Sequence, residues 1–241
     1  MGLDQIKVEL QEWMGSDRAI AEAAWTSSYS LKTKDKKSDE DVERIVTMMA
    51  QSGHGTPFEA VVMRFWLRIP IFTDRQHMTH RVATHNGLSG RYRTMPSDWY
   101  VPPSDVRHII NKAGIQGLSP LTAYDEAMTT AYRAYNTTLE ALREAEIAGL
   151  IDNKEYKRAR EVFRGMLPVG GMTERISVFN LRSFANYIRH RLSPHAQREI
   201  RYAAFHMLKA VKEANIAPVA IRELEKNKWV IEPDMPDVVK V

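Results

Sequence analysis

The residues from Thr73 to Arg93, TDRQHMTHRVATHNGLSGRYR, carry the side chains in this chain that are best suited to binding and catalysis. Four arginines, three histidines, two glycines, a serine and an asparagine fall within these twenty-one positions. Charged side chains are seldom fully buried unless they are paired, and burying an unpaired polar group costs about 2 to 7 kcal/mol. The stretch is therefore either a solvated surface loop or a binding site.

The order of residues within this stretch favours a binding site. The Thr-Asp pair at 73–74 is typical of a helix N-cap, which predicts a short helix over 75–82. The Asn-Gly pair at 86–87 then predicts a turn, in which glycines admit positive φ and exposed amide groups can approach an anion. Arginine guanidinium groups suit phosphate oxygens and planar heterocycles. The pattern indicates a cradle for a nucleotide or another phosphorylated substrate, with a solvated basic loop as the alternative.

The composition of the whole chain predicts a soluble enzyme. Its 241 residues, 44% hydrophobic and 27% charged, predict one main domain over 1–241. The net charge of +4 is mild and fits anionic small molecules, so we expect no nucleic-acid partner. No cysteine is present, which excludes disulfides, thiolate metal sites and cysteine nucleophiles. The longest apolar run, 61–72, is interrupted by Arg64 and Arg68, so we predict a cytoplasmic protein without a signal peptide or membrane span.

The elements that must position this stretch are predicted from periodicity and helix caps. Alternating apolar residues predict strands at 6–10 and 61–69 and a short strand from Ile176. Cap residues predict helices that begin at Ser16, Ser38, Ser119, Asp152, Asn180 and Ser193. The segments 26–37 and 95–111 are predicted to be irregular. The helix from Asn180 to about Arg191 would carry Arg182 and Asn186 on one face, unless it belongs to a basic hairpin with a solvated face.

Several motifs resemble those of the flavin-dependent thymidylate synthases. His80-Arg81, seven residues and then Ser89-Gly90-Arg91 resembles the family signature, with Thr79 in place of its first arginine. The segments HGTPFE at 54–59, RGMLP at 164–168 and NLRSFAN at 180–186 match further family motifs in family order, as does the segment RLSPHAQREI at 191–200. The chain is therefore identified as similar to this family over residues 54–200.

The resemblance implies an α/β fold of helices packed on a mostly antiparallel sheet, assembled as a homotetramer. It implies transfer of a one-carbon unit from methylene-tetrahydrofolate to C5 of dUMP, with FAD as cofactor and NADPH as reductant. The implied flavin-binding residues are Thr56, Thr79, His80, Arg81, Asn86, Asn180, Arg182, Asn186 and His195. The implied deoxynucleotide-binding residues are Gln76, Thr79, Gly87, Ser89, Gly90, Arg91, Arg164 and Arg191. Arg191 would be the catalytic residue, because its fixed charge can stabilise charge that develops on the pyrimidine.

Departures from the family pattern leave alternatives open. Thr79 stands where the family has arginine, Gly87 where it usually has glutamate, and Ala60 where histidine is common. A related C5 modification of dUMP or dCMP, either methylation or hydroxymethylation, is therefore the second interpretation. The others are a metal site at the three histidines of 77–85, a hydrolase with Ser89 as nucleophile, and a basic helical nucleic-acid-binding protein.

Overall fold

The computed structural model describes residues 2–27, 37–115 and 119–230. Its strands are β1 (Lys7–Met14), β2 (Val62–Pro70), β3 (Thr84–Gly87) and β4 (Met172–Asn180). Its helices are α1 (Asp17–Trp25), α2 (Asp39–Gln51), α3 (Ile71–Met78), α4 (Ser104–Lys112), α5 (Pro120–Ile147), α6 (Asn153–Phe163), α7 (Leu181–Arg191), α8 (Arg198–Glu213) and α9 (Pro218–Lys226). In these ranges no helix combines the length and the apolar character needed to traverse a bilayer.

The strands form a four-stranded sheet in the order β1-β2-β4-β3. The chain divides into two compact units. The first unit takes in the described residues of Met1–Gln5, Arg68–Arg75 and Gly87–Glu174, and the second those of Ile6–Leu67, Gln76–Asn86 and Arg175–Val241. The predicted fold class, helices packed on a mostly antiparallel sheet, is confirmed.

The core of the second unit is built on the alternating apolar residues of β2. Met63, Phe65 and Leu67 are fully buried, whereas Arg64 between them is only half-buried. Phe65 stacks on Phe184 of α7, with ring centroids 5.6 Å apart. This contact fixes α7 against the sheet, so the polar residues on the other face of α7 are held in place for a site.

In the first unit, the loop after β3 is anchored on the long helix α5. The hydroxyl of Tyr135 accepts a hydrogen bond from the Met95 backbone amide at 3.2 Å. Tyr135, Met95 and Leu139 form a buried cluster, against which Leu88 packs. The loop between Leu88 and Met95 is therefore fastened at both ends to the same apolar cluster.

Four of the predicted helix starts, including that at Ser16, have a cap side chain bonded to the first turn and are confirmed. The Ser38 hydroxyl accepts from the Asp41 amide and the Asp41 carboxylate accepts from the Ser38 amide, which is a capping box at the start of α2. Asp152 and Glu155 form the same arrangement at α6. The Asn180 side chain accepts from a backbone amide in the first turn of α7. These bonds satisfy amides that have no partner within the helix.

Other predicted boundaries are wrong. Helix α3 begins at Ile71, directly after β2, and Thr73 is fully buried inside it instead of capping it. The Asn-Gly pair at 86–87 belongs to β3 instead of a turn. The segment 95–111 was expected to be irregular but contains most of α4. The loop predicted for 26–37 lies mostly outside the described residues.

The helix predicted to begin at Ser193 also starts later than expected. The Ala196 amide donates to the Ser193 carbonyl at 2.9 Å, which closes a single turn. Gln197 then has an extended backbone, with φ −59° and ψ 143°, so the turn does not propagate and α8 begins at Arg198. His195 consequently lies in a loop between α7 and α8.

Candidate active site

Arg191, the last residue of α7, is held by the end of α3. Its Nη2 donates to the Gln76 carbonyl oxygen and to the Thr79 hydroxyl oxygen, each at 2.6 Å. The Thr79 hydroxyl in turn donates to the Gln76 carbonyl oxygen at 2.8 Å. No described residue accepts a hydrogen bond from Nη1 or Nε of Arg191. The structure thus brings three of the predicted site residues together and leaves guanidinium donors for a ligand.

Two adjoining cavities lie along this part of the second unit. The Arg191 cavity, of ≈ 570 Å³, is lined by residues that include Thr79, His80, Arg81, Asn186, Arg191 and His195. The Arg182 cavity, of ≈ 680 Å³, is lined by residues that include Gly55, Glu59, His80, Asn180, Arg182 and Asn186. Because His80 and Asn186 line both cavities, one elongated ligand can occupy both.

His80 stands at the junction of the two cavities with a polar atom that has no partner. Its Nε2 is buried and makes no hydrogen bond within the part of the chain that the structure describes. Burial lowers the pKa of His80 and the positive charge of Arg191 acts in the same direction, whereas a contact with the Ser183 backbone raises it. A buried polar atom without a partner costs free energy that a bound ligand can recover. His80 therefore indicates a ligand with a hydrogen-bonding group at this junction.

The conformation of the segment 54–59 is explained by the position of Arg182. Arg182 Nη1 donates to Glu59 Oε1 at 2.8 Å. A Cβ atom on Gly55 would lie 2.7 Å from Arg182 Nε, so a larger residue at position 55 would displace the guanidinium. Glycine at this position is therefore required for Arg182 to lie across the backbone and to line its cavity.

Two of the predicted flavin-binding residues lie elsewhere. Thr56 is exposed and lines a separate cavity of ≈ 610 Å³ beside His54 and Met49. Asn86 is exposed on β3 and lines neither the Arg191 cavity nor the Arg182 cavity. All the other predicted flavin-binding residues line one of these two cavities or both.

The first unit collects most of the predicted nucleotide-binding residues. Arg91 donates through Nε to Glu161 Oε1 at 2.8 Å, and its backbone amide donates to the Ser89 hydroxyl oxygen at 3.3 Å. A Cβ atom on Gly90 would lie 3.5 Å from Arg164 Cβ, so the loop and Arg164 are in contact. Gly87, at the end of β3, leads into this loop. An arginine pair beside a glycine turn is suited to a phosphorylated ligand.

Beneath the Arg191 cavity lies a buried hydrogen-bonded chain that sequence patterns did not predict. His77 Nδ1 lies 2.8 Å from the Tyr187 hydroxyl, and its Nε2 lies 2.9 Å from the Ser177 hydroxyl. The same hydroxyl lies 3.0 Å from His85 Nδ1, and His85 Nε2 lies 3.2 Å from the His80 carbonyl oxygen. The chain links α3, β4, β3 and α7.

The His80 carbonyl oxygen, at the end of this series of hydrogen bonds, sets the direction of the other bonds. A carbonyl oxygen only accepts, so His85 Nε2 donates to the His80 carbonyl, and in that tautomer His85 Nδ1 accepts from Ser177. Ser177 then accepts from His77 Nε2, and the Tyr187 hydroxyl donates to His77 Nδ1. Burial lowers the pKa of His77 well below its ordinary value, and the positive charges of Arg175 and Arg191 act in the same direction. His77 is therefore neutral in the folded protein.

These contacts bear on two of the alternative interpretations. Both ring nitrogens of His77 and of His85 are engaged by hydroxyl or carbonyl groups. Within residues 2–27, 37–115 and 119–230 no group of side chains is arranged to bind a metal ion. Ser89 accepts a hydrogen bond from the Arg91 amide, and no histidine in those ranges bonds to it. The geometry therefore favours neither the metal site nor the serine nucleophile.

Comparison with known proteins identifies the family. Residues 9–219 match the family model described as thymidylate synthase complementing protein. The chain belongs to this family. A flavin-dependent thymidylate synthase from Thermotoga neapolitana is 32% identical over 211 residues, which cover 88% of each chain. One from Thermus thermophilus is 33% identical over 216 residues, which cover 88% of this chain and 73% of the relative.

A solved structure is similar to this chain over nearly its whole length. A UMP/dUMP methylase, PolB from Streptomyces cacaoi, bound with 5-Br dUMP, has a TM-score of 0.67 and 27% sequence identity, and the match covers 93% of this chain and 97% of that one. The membership in the flavin-dependent thymidylate synthases that the sequence motifs predicted is confirmed, and the chain is an enzyme of that family.

This member of the family has cavity-lining residues that sequence analysis missed. Asn227, Lys228 and Trp229, which follow α9, line the Arg182 cavity but lie beyond the residues that match the family model. An Asn-Lys pair after a charged helix is a weak signal for a helix end. This pair gave no indication that the turn lines the Arg182 cavity.

The neutral state of His77 predicts that this family member loses stability in mild acid. The unfolded chain binds a proton at histidine near pH 6.5, whereas folded His77, with its lowered pKa, does not. The contribution of His77 to the free energy of unfolding is therefore complete above about pH 6.5. It decreases as the pH falls below that value, by up to about 1.4 kcal/mol per pH unit. We expect the free energy of unfolding, measured in urea between pH 7.5 and 5, to fall less steeply in a His77→Gln variant.

The matched control for this measurement is His108→Gln, which removes an exposed histidine on α4. It should leave the pH dependence of unfolding as it is in the wild type. Equal slopes for the wild type and His77→Gln would show that His77 does not resist protonation in the folded protein.

Proposed function

We propose that this chain transfers a one-carbon unit from methylene-tetrahydrofolate to C5 of dUMP to give dTMP, with FAD as cofactor and NADPH as reductant. The observation that supports the proposal is that seven of the nine predicted flavin-binding residues line two adjoining cavities, one of which also contains Arg191. The relatives named flavin-dependent thymidylate synthase support the same activity.

The residues of the two cavities fit a flavin dinucleotide. Arg189 supplies positive charge for a phosphate, Arg81 supplies a guanidinium for the flavin, and Asn180 and Asn186 supply amide groups for ring or ribose atoms. The buried Nε2 of His80 lacks a partner at the junction, where an elongated cofactor would pass. When bound, FAD supplies the redox chemistry by which the transferred carbon is reduced to a methyl group.

Arg191 is proposed to act on the pyrimidine. Its guanidinium is fixed by Thr79 and the Gln76 carbonyl, so little reorganisation is needed when negative charge develops on the ring. Gln76 is proposed to bind the nucleotide, and the same role is proposed for Gly87, Ser89, Gly90, Arg91 and Arg164. The chain contains no cysteine, so activation of the ring by Arg191 and not by a thiolate agrees with its composition.

Thr79 supports a second candidate function. In place of an arginine, it presents a hydroxyl that is engaged with Arg191, which removes one positive charge from the site. The UMP/dUMP methylase of known structure is similar to this chain over 93% of its length. A related C5 modification of UMP, dUMP or dCMP, methylation or hydroxymethylation, is therefore the alternative.

Further features of the family are also proposed for this chain. We propose that the protein is a homotetramer and that it acts in the cytoplasm. We also propose that residues 1–241 function as a single domain. A small-molecule substrate fits the mild net charge of +4 better than nucleic acid does.

The test is the fate of C5-tritiated dUMP, UMP and dCMP, each incubated with the protein, FAD, NADPH and methylene-tetrahydrofolate. We expect tritium release from dUMP, and dTMP as the main product by mass analysis. A main product that is a modified UMP, a modified dCMP or a hydroxymethyl nucleotide would favour the alternative. No tritium release from any of the three by a flavin-loaded protein would contradict both.

A further inference from the structure

The turn that follows α9 forms one wall of the Arg182 cavity. Asn227, Lys228 and Trp229 line this cavity together with Arg182 and Asn186. The family model matches residues 9–219, so the wall is built by a part of the chain outside that match. Its role must therefore be argued from its own geometry and charge.

This turn is fixed by the backbone hydrogen bonds of a Schellman motif. The Trp229 amide donates to the Leu224 carbonyl at 2.9 Å, and the Lys228 amide donates to the Glu225 carbonyl at 3.0 Å. Lys228 has the left-handed conformation that this motif requires, with φ 61°. The backbone positions of Lys228 and Trp229 are therefore set by the end of the helix before any ligand binds.

Apolar contacts within the second unit also anchor this turn. The Trp229 ring lies 5.8 Å from the Phe58 ring, centroid to centroid, and Val230 is 1% exposed. Phe58 itself is fully buried, one residue before Glu59, which pairs with Arg182. The aromatic pair thus joins the turn to the segment that holds Arg182.

The charges of the cavity favour a phosphate near this turn. Glu59 neutralises Arg182, and Arg189 donates to Asn186 Oδ1 at 3.0 Å. Within the described ranges no carboxylate pairs with Lys228 or Arg189. A flexible cation and an indole ring at one end of a basic cavity are the groups that bind a phosphorylated nucleoside.

We propose that Lys228 and Trp229 bind the adenosine monophosphate half of FAD, Lys228 at its phosphate and Trp229 at the adenosine. This rests on the proposed function, in which the reacting flavin ring lies beside the pyrimidine and hence in the Arg191 cavity. Because His80 and Asn186 line both cavities, the remainder of the dinucleotide extends past them into the Arg182 cavity. Lys228 and Trp229 stand in that second cavity.

The main test is Lys228→Asn, titrated with FAD and with FMN by flavin fluorescence. Asparagine tolerates the left-handed backbone, so the substitution removes the charge and preserves the turn. We expect FAD affinity to fall about three- to tenfold and to depend less on salt, because the lost contact is an exposed ion pair with phosphate. FMN lacks the adenosine monophosphate half, so its affinity should not change.

Two further variants and one control make the test specific. Lys228→Arg retains the charge and should bind FAD nearly as the wild type does. Trp229→Leu removes the aromatic surface and should weaken FAD about fivefold or more without weakening FMN. Lys112→Asn, at the exposed end of α4, is the matched control and should change neither affinity.

The outcomes separate this proposal from the proposed function. FAD affinity that is unchanged in both Lys228→Asn and Trp229→Leu would overturn it, and so would equal weakening of FAD and FMN. A wild-type protein that binds neither FAD nor FMN would instead contradict the proposed function itself.

Discussion

Replacing Arg191 by alanine is expected to lower the turnover number for dUMP about a hundred- to a thousandfold. In the proposed function Arg191 stabilises charge that develops on the pyrimidine, and one such preorganised donor contributes about 3 to 4 kcal/mol to the transition state. Its Nη2 is already fixed by Thr79 and the Gln76 carbonyl, so the guanidinium is held before the substrate arrives. We expect turnover to fall more than KM rises, since the interaction strengthens during the reaction. Initial rates over a range of dUMP concentrations measure both.

A variant that keeps Arg191 but loosens it tests the same geometry. Thr79→Val removes the hydroxyl that accepts from Arg191 and should reduce turnover by less than Arg191→Ala does, whereas Thr79→Ser should restore it. Arg143→Ala, on the exposed face of α5, removes an arginine with no proposed role and should not change the rate. Turnover by Arg191→Ala within threefold of the wild type would exclude Arg191 as the activating group.

Replacing Arg81 by alanine is expected to weaken flavin binding about ten- to a hundredfold. Arg81 is exposed and lines the Arg191 cavity, and the loss of a charge-assisted hydrogen bond costs about 1.5 to 3 kcal/mol. Because this cavity would hold the flavin ring and not the adenosine half, FAD and FMN should weaken together, unlike in Lys228→Asn. Titration of flavin fluorescence gives both dissociation constants.

Arg81→Lys preserves the charge without the planar fork and should give an intermediate loss. Far-ultraviolet circular dichroism should show the same helix content in all these proteins. Flavin affinity that Arg81→Ala leaves unchanged would mean that the signature at 79–81 has been assigned to the wrong ligand.

The elements that sequence predicted well are those specified by local bonds. Ser38, Asp152 and Asn180 start helices because their side chains accept from amides only three residues away. Thr73 looked like the same signal but lies inside α3, because β2 passes directly into that helix and buries it. A cap residue therefore predicts a helix start only where the preceding residues are not themselves drawn into the helix.

Site residues were predictable where a family motif names them, and not where distant segments meet. The motifs named His80, Asn180 and Arg182, which line the cavities. His77 was noticed only as one of three histidines, because its partners Ser177 and Tyr187 are about a hundred positions away, at separations of 100 and 110. Contacts over such separations leave no periodic signal in a single sequence.

The hydrogen-bonded chain through His77 and Ser177 has a consequence for the entropy of ligand binding. It ties α3, which is followed by Thr79, to α7, which ends at Arg191, and it ends on the carbonyl of His80. Backbone that is already ordered in the folded protein loses no further conformational entropy when a ligand binds. At this end of the site, most of the conformational entropy is therefore lost when the chain folds and not when the cofactor binds. The contacts made there then contribute more of their free energy to affinity.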